Sequence, residues 1–311
     1  MTSQPPPLIV LLGPTASGKT SLALELADRL PGGGELIGAD SMQIYRHMSI
    51  GTAKPTAEEQ ARAPHHLIDV ADPHVDTFTV HDWIRLAEEA VEAIRARQAH
   101  PIVVGGTNLY VRALLEGMID GPPPDPALRA SLEARTSEDL RSELEAVDEE
   151  AARRIHPNDR RRTIRALEVF HGTGQSLSEQ QVQWSSSVIR PREDARVICL
   201  DWPTEALNRR INRRVKTMAE DGFLEEVRTL LERGALGEQA ASAVGYGEMT
   251  RHLEGACTLE EALERTKIRT RRFAKQQRTW MRRFHAIEGT LKLQPEDRTP
   301  TELVDEILTW L

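Results

Sequence analysis

The sequence predicts an α/β protein, a doubly wound parallel sheet with an inserted all-helical domain, and three observations carry that prediction. The apolar run LIVLL (Leu8–Leu12) leads directly into GPTASGKT at 13–20 and then into the helix-periodic SLALELADRL. Short apolar runs go on alternating with helix-periodic segments through the first third of the chain, as parallel strands joined by crossover helices do. Composition then shifts at GPPPDP (121–126), and strand-like runs cease until RVICLD at 196–201. The motif G-x-x-x-x-G-K-[ST] between a strand and a helix makes the sheet P-loop NTPase-like.

Each element follows from its residues. Leu22, Leu26 and Leu30 recur at helical spacing after the loop. ELIGADS (35–41) reads as a second strand, RLAEEAVEAIRARQ (85–98) as an amphipathic helix, and PIVVGG (101–106) as a buried strand ending in a glycine pair. Ligands of such sheets gather at the carboxyl ends of strands, which groups the 13–20 loop, Asp40–Ser41 and Gly105–Thr107 at one edge. The insertion reads as helices only. Thr136 to Asp139 and Ser176 to Glu179 fit the capping box, and Asn158 is placed to cap a helix that Gly172 ends. RVICLD returns to strand character, and the rest reads as helical through Leu311. The predicted division is 1–120 for the first part of the core, 121–195 for the insertion and 196–311 for the return to the core.

The chain has 311 residues, 28% of them charged and 4% aromatic, with a net charge of −8. This is the profile of a soluble globular protein of about two domains. No apolar run approaches the ~20 residues of a membrane span, and no secretory leader is evident, so a cytoplasmic protein, acting as a monomer, is expected. Cys199 and Cys257 match no metal or redox spacing and read as free thiols in a reducing compartment.

The loop carries the first chemistry. Gly13 and Gly18 let the backbone bend until its amides point inward; Pro14, Thr15, Ala16 and Ser17 form the curve. Lys19 brings a full charge to the phosphates, and the Thr20 hydroxyl can ligate Mg2+. Asp40 ends a strand beside this loop, either as a cap or magnesium partner or as a carboxylate taking a proton from a nucleophile. Asp201, closing RVICLD, competes as the magnesium aspartate of an ATPase. His65, His66, Asp69, Asp72, His74 and His81 invite a metal reading, but their spacing fits no zinc pattern. RTKIRTRRFAKQQRTWMRR (265–283) holds nine Lys or Arg and no acid. Phe273, Trp280 and Phe284 read as the stripe anchoring this helix, which leaves a cationic face for a polyanion. RRIHPNDRRRTIRAL (153–167) is a second such segment.

Together these motifs resemble the tRNA dimethylallyltransferase family. The resemblance rests on GPTASGKT, ADSMQIYR (39–46), IGTAKP (50–55), HHLID (65–69), VGGTNLY (104–110), HPNDRRR (156–162), AVGYGE (243–248) and FAKQQRTW (273–280), in order over nearly the whole chain. It implies dimethylallyl diphosphate as donor, the tRNA anticodon stem-loop as acceptor, and Mg2+ as cofactor. It implies Asp40 as the base on the flipped adenine's amine and Thr107 as a residue seating that nucleotide. An arginine of LNRRINRRVKTM would sit on the diphosphate, Arg214 being the best match, with Arg210 and Arg213 open by spacing. Asp40, Ser41, Met42 and Gln43, Arg161, Arg162, Thr163, Ile164 and Arg165, and Ser242, Ala243, Val244, Gly245, Tyr246 and Gly247 are expected to touch tRNA, with Arg129 beside them. Asn108, His47, Ser49, Gly247 and Gln277 depart from the family pattern, the last two removing charge from the expected tRNA surface. The rival readings are an adenylate isopentenyltransferase acting on AMP, ADP or ATP, a P-loop small-molecule kinase and an RNA-binding ATPase. ATP binding in the same loop stays open.

Overall fold

The computed structural model describes residues 5–75, 78–118, 121–122, 125–181, 184 and 189–311. The chain forms two compact units, one of residues 1–115 with 190–311 and the other of residues 116–189. The second boundary lies ahead of the expected 195, because Asp194 O accepts from Leu8 N and so already belongs to the sheet. Pro123 and Pro124 of the expected linker lie outside the described residues.

The larger unit begins with β1 (Leu8–Leu12), α1 (Lys19–Arg29), β2 (Gly34–Ala39), α2 (Ala57–Arg62), β3 (His65–His66), α3 (Val80–Ala96), β4 (His100–Gly105) and α4 (Asn108–Glu116). Within the insertion lie α5 (Pro126–Glu133), α6 (Ser137–Val147), α7 (Glu149–Arg154), α8 (Arg160–Thr173) and α9 (Leu177–Gln180). The chain then returns with β5 (Ala195–Leu200), α10 (Thr204–Glu220), α11 (Phe223–Glu232), α12 (Glu238–Ala241), α13 (Tyr246–Leu253), α14 (Leu259–His285), β6 (Leu291–Leu293) and α15 (Pro300–Trp310).

The sheet has six strands in the order β3-β2-β4-β1-β5-β6, and every pairing is parallel. All five residues of β1 are buried, which is why LIVLL is apolar without alternation: helices cover both faces. Because β4 and not β2 pairs with β1, the carboxyl ends of β1, β2 and β4 open side by side. β3 and β6 are two and three residues long, too short to carry a periodic signal, and sequence reading missed both. Asp159, not Asn158, caps α8 by accepting from Arg162 N, and Gly174, at φ 73°, ends it rather than Gly172. The Ser176–Glu179 capping box forms as expected. Leu140, Leu144, Ile164 and Leu167 give the helical unit a core of its own.

Candidate active site

The phosphate loop joins β1 to α1. Gly18 sits in the left-handed region at φ 88°, which favours glycine, and a Cβ on Gly13 would lie 2.6 Å from Ser17 Oγ and 3.2 Å from Leu200 Cβ, so a side chain there would crowd the loop. Lys19 folds back over the loop, its Nζ donating to Pro14 O at 2.9 Å. Burial pushes its pKa down to about 7; the Arg214 guanidinium adds to the depression and Asp40 partly opposes it. On the outer side Arg210 Nε donates to Ala16 O at 2.7 Å, and its guanidinium lies 4.6 Å from the centre of the Trp202 ring. Trp202 Nε1 donates to Ser17 O at 3.0 Å, so Arg210 and Trp202 hold the loop from outside.

Arg210, Arg213 and Arg214 of α10 therefore separate. Arg214 lines the small cavity inside the loop, about 70 Å³, and its Nη1 donates to Thr15 Oγ1 at 3.3 Å. Burial, followed by the Arg210 charge, lowers its pKa. Arg210 and Arg213 do not line that cavity.

Asp40 closes β2 at the mouth of the loop. Its Oδ1 accepts from Met42 N at 2.9 Å and Gln43 N at 3.4 Å, the geometry of an Asx turn. Asp40 thus closes a turn rather than capping a helix, and it lines the loop cavity. Gln43 Nε2 donates to Thr52 O and Ala53 O, at 3.1 and 3.0 Å. Thr107 lines neither neighbouring cavity. Its Oγ1 accepts from Ser41 N at 3.0 Å, and its own N–H donates to Ala39 O, so it positions the 40–43 turn.

Beyond Asp40 opens a second cavity of about 470 Å³, walled by Met42, Val215, Met218, Phe223, Val244 and Phe273 and rimmed by Arg269 and Arg272. Thr15, Asp40, Thr52 and Arg214 line both this cavity and the loop cavity. A cation-lined hollow meets an apolar one, and a carboxylate stands at the junction.

Several expected contact residues prove to be internal. Thr163 and Ile164 are 3% exposed and face the core of the helical unit, because they lie on the inner side of α8. Tyr246 is fully buried, where its hydroxyl donates to Glu226 Oε1 at 2.7 Å, and Ala243 and Gly245 are buried beside it. In these segments Arg161, Arg162, Ser242, Val244 and Gly247 reach solvent. Arg129 and Arg165 both pair with Glu168, at 3.1 and 3.4 Å. Phe273 is not a core anchor of α14 but 40% exposed on the cavity rim; the buried face runs through Ala262, Thr266, Ala274, Gln277, Met281 and Phe284. Asp201 is exposed and absent from the loop cavity. Among the described residues no three His, Cys, Asp or Glu side chains gather around a metal site, and His66 instead pairs with Glu35 at 2.8 Å.

A sequence profile of the family described as IPP transferase matches residues 43–284. The chain belongs to the IPP transferase family. It is 48% identical over 274 residues to a tRNA dimethylallyltransferase 1 of Citrifermentans bemidjiense, covering 88% of each chain. It is 47% identical over 297 residues to a tRNA dimethylallyltransferase of Shouchella clausii, covering 92% of this chain and 93% of that one. Its fold resembles the crystal structure of a tRNA isopentenylpyrophosphate transferase from Bacillus halodurans, with a TM-score of 0.69, 38% identity and coverage of 98% and 96%. It also resembles a eukaryotic dimethylallyltransferase acting on tRNA, with a TM-score of 0.82, 27% identity and coverage of 97% and 79%.

As an IPP transferase, the chain uses several of its motifs as struts. Lys54 of IGTAKP donates to Asp69 of HHLID at 2.6 Å and to Tyr45 O of ADSMQIYR at 2.6 Å, clipping three motifs together. Glu226, which sequence reading passed over, accepts from Ser49, Ile50 and Gly51 N at 2.7–3.0 Å as well as from Tyr246. Within FAKQQRTW it is Gln276, not Gln277, that stands where the family pattern has arginine, and Gln276 lines the larger of the two cavities. Gln277 is 4% exposed and is no tRNA surface residue.

Proposed function

We propose that this IPP transferase moves a dimethylallyl group from dimethylallyl diphosphate to the exocyclic amine of the adenine 3′-adjacent to the anticodon of tRNA, releasing diphosphate. The observation that carries the reading is Asp40 standing where the cation-lined loop cavity meets the apolar one. The loop suits the diphosphate, and Met42, Val215, Met218 and Phe223 suit an unstacked base and a branched allylic chain. The names of the relatives support tRNA as the acceptor.

The amine is a weak nucleophile because its lone pair is delocalised into the purine ring. Asp40 Oδ1 is held by two backbone amides, while Oδ2 has no hydrogen-bond partner among the described residues, which leaves it for the acceptor amine. As the nitrogen–carbon bond forms and the carbon–oxygen bond breaks, the amine proton passes to Asp40 and the electron pair to the diphosphate oxygen. Lys19, Arg214 and the loop amides neutralise the charge that develops there. The donor set also fits magnesium, which favours oxygen ligands and keeps several waters and substrate oxygens: the Thr20 hydroxyl is in the loop cavity with Asp40. When bound, that ion supplies further charge neutralisation to the leaving group. The exposed arginines of the helical unit and the cations of α14 supply sequence-independent attraction for the RNA backbone. Action on tRNA supports a cytoplasmic protein.

The test mixes the purified protein, magnesium and dimethylallyl diphosphate with unmodified tRNA, and separately with AMP. Nucleoside mass spectrometry should find N6-isopentenyladenosine in the tRNA. Prenylated AMP with unmodified tRNA would overturn the acceptor assignment, and loss of γ-phosphate from ATP without prenyl transfer would overturn the reaction class.

A further inference from the structure

A phosphate loop works by presenting backbone N–H groups, so an N–H already taken within the fold is withheld from the ligand. Gln277 takes one. From the middle of α14 its Oε1 accepts from Thr15 N at 2.8 Å, and its Nε2 donates to Gly106 O at 3.0 Å. The side chain is almost fully buried, and a Cβ on Gly106 would lie 2.3 Å from Nε2. A primary amide offers an acceptor to one backbone group and a donor to the other at once. A carboxylate there would bring negative charge into the phosphate site.

Thr15 occupies a particular place in the loop. The amides at 18–20 crown the N-terminus of α1, whereas Thr15 lies nearer β1 in the loop and lines both cavities, as Asp40 and Arg214 do. On this reading a phosphate chain longer than two units runs from the helix end toward Thr15. There it would meet a capped amide and the Asp40 carboxylate.

We propose that Gln277 sets the length of phosphate chain the loop accepts, capping Thr15 so that a diphosphate is selected over a triphosphate. The inference rests on the diphosphate reading of the loop given above. Gln277 is a specificity-determining residue that acts through Thr15 and touches no reacting atom. It also explains how a loop with the full nucleotide-binding motif serves a leaving group of two phosphates.

The test measures dissociation constants of magnesium complexes of inorganic diphosphate and tripolyphosphate by isothermal titration, for wild type, Gln277→Met and Gln277→Glu, with thermal unfolding of each. Wild type should favour diphosphate by at least about tenfold, the worth of one hydrogen bond to a charged group. Gln277→Met frees Thr15 N–H and should shrink that ratio about tenfold, chiefly by tightening tripolyphosphate. Gln277→Glu keeps the acceptor on Thr15, so both ligands should weaken while the ratio persists. A merely structural role would move both variants alike. Equal wild-type affinities, an unchanged ratio in folded Gln277→Met, or a collapsed ratio in Gln277→Glu would each overturn the proposal. Should Gln277→Met not fold, the wild-type and Gln277→Glu ratios decide alone. Failure of the transferase reading shows separately, as wild-type protein that leaves tRNA unmodified, because the ratio is read without turnover.

Discussion

Diphosphate binding should draw a proton onto the protein at neutral and alkaline pH, and Lys19 is the group that takes it up. In the free protein the Lys19 amine has a pKa of about 7, lowered by burial and by Arg214. At pH 8 only about a tenth of these amines carry a proton. A bound diphosphate favours the ammonium and returns the group toward the ordinary lysine range. Binding therefore takes up about 0.9 proton at pH 8 and about 0.1 at pH 6. The sign is fixed by this direction: affinity is greatest below pH 7 and falls nearly tenfold, about 1.4 kcal/mol, for each unit above it. Diphosphate has its own titrations in this range, so Lys19→Met is the reference that retains them and lacks the lysine. Calorimetry at pH 8 in two buffers of different ionisation heat gives the proton count directly. Equal uptake by wild type and Lys19→Met would refute the reasoning. The folding equilibrium carries the opposite sign. A lysine with a lowered native pKa leaves the unfolded chain holding more protons between about 7 and 10.5, so the ligand-free fold gains stability as pH rises through that window.

Asp40→Asn should lower turnover by about 10² to 10⁴ while tRNA binding in a filter assay changes little, since the amide keeps the turn but accepts no proton. Arg214→Ala should weaken dimethylallyl diphosphate about tenfold or more, and Arg213→Ala should leave it unchanged, because only Arg214 lines the loop cavity. Glu226→Ala strips three amides and the Tyr246 hydroxyl of their acceptor, and urea unfolding should register a loss of about 2–4 kcal/mol. Binding of tRNA should fall steeply from 50 to 200 mM salt, and a flat profile would remove the exposed arginines of the helical unit from the RNA surface.

What was legible in the sequence divides by how the information is carried. GPTASGKT was readable because strand, loop and helix are contiguous, so one stretch specifies the whole backbone path and its ligand class. Asp40 was readable for a related reason: in a parallel sheet every strand delivers its carboxyl end to the same edge. Gln277 was not, because its partner Thr15 is 262 residues away and only the docking of α14 brings them together. The error at α14 has the same origin. Phe273, Trp280 and Phe284 share helical spacing and carry the large apolar groups, so periodicity favours them as the buried face. Phe284 is buried as expected, but the helix turns Ala274 and Gln277 inward in place of Phe273, Gln277 bridging Thr15 N and Gly106 O. That leaves Phe273 on the rim of the apolar cavity, where an aromatic face is available to a base. The local motif thus announces phosphate, while the tertiary contacts around it decide how many phosphates enter and what lies beside them. A chain that kept GPTASGKT but placed an apolar residue at 277 would retain the loop and lose the reason for its selectivity.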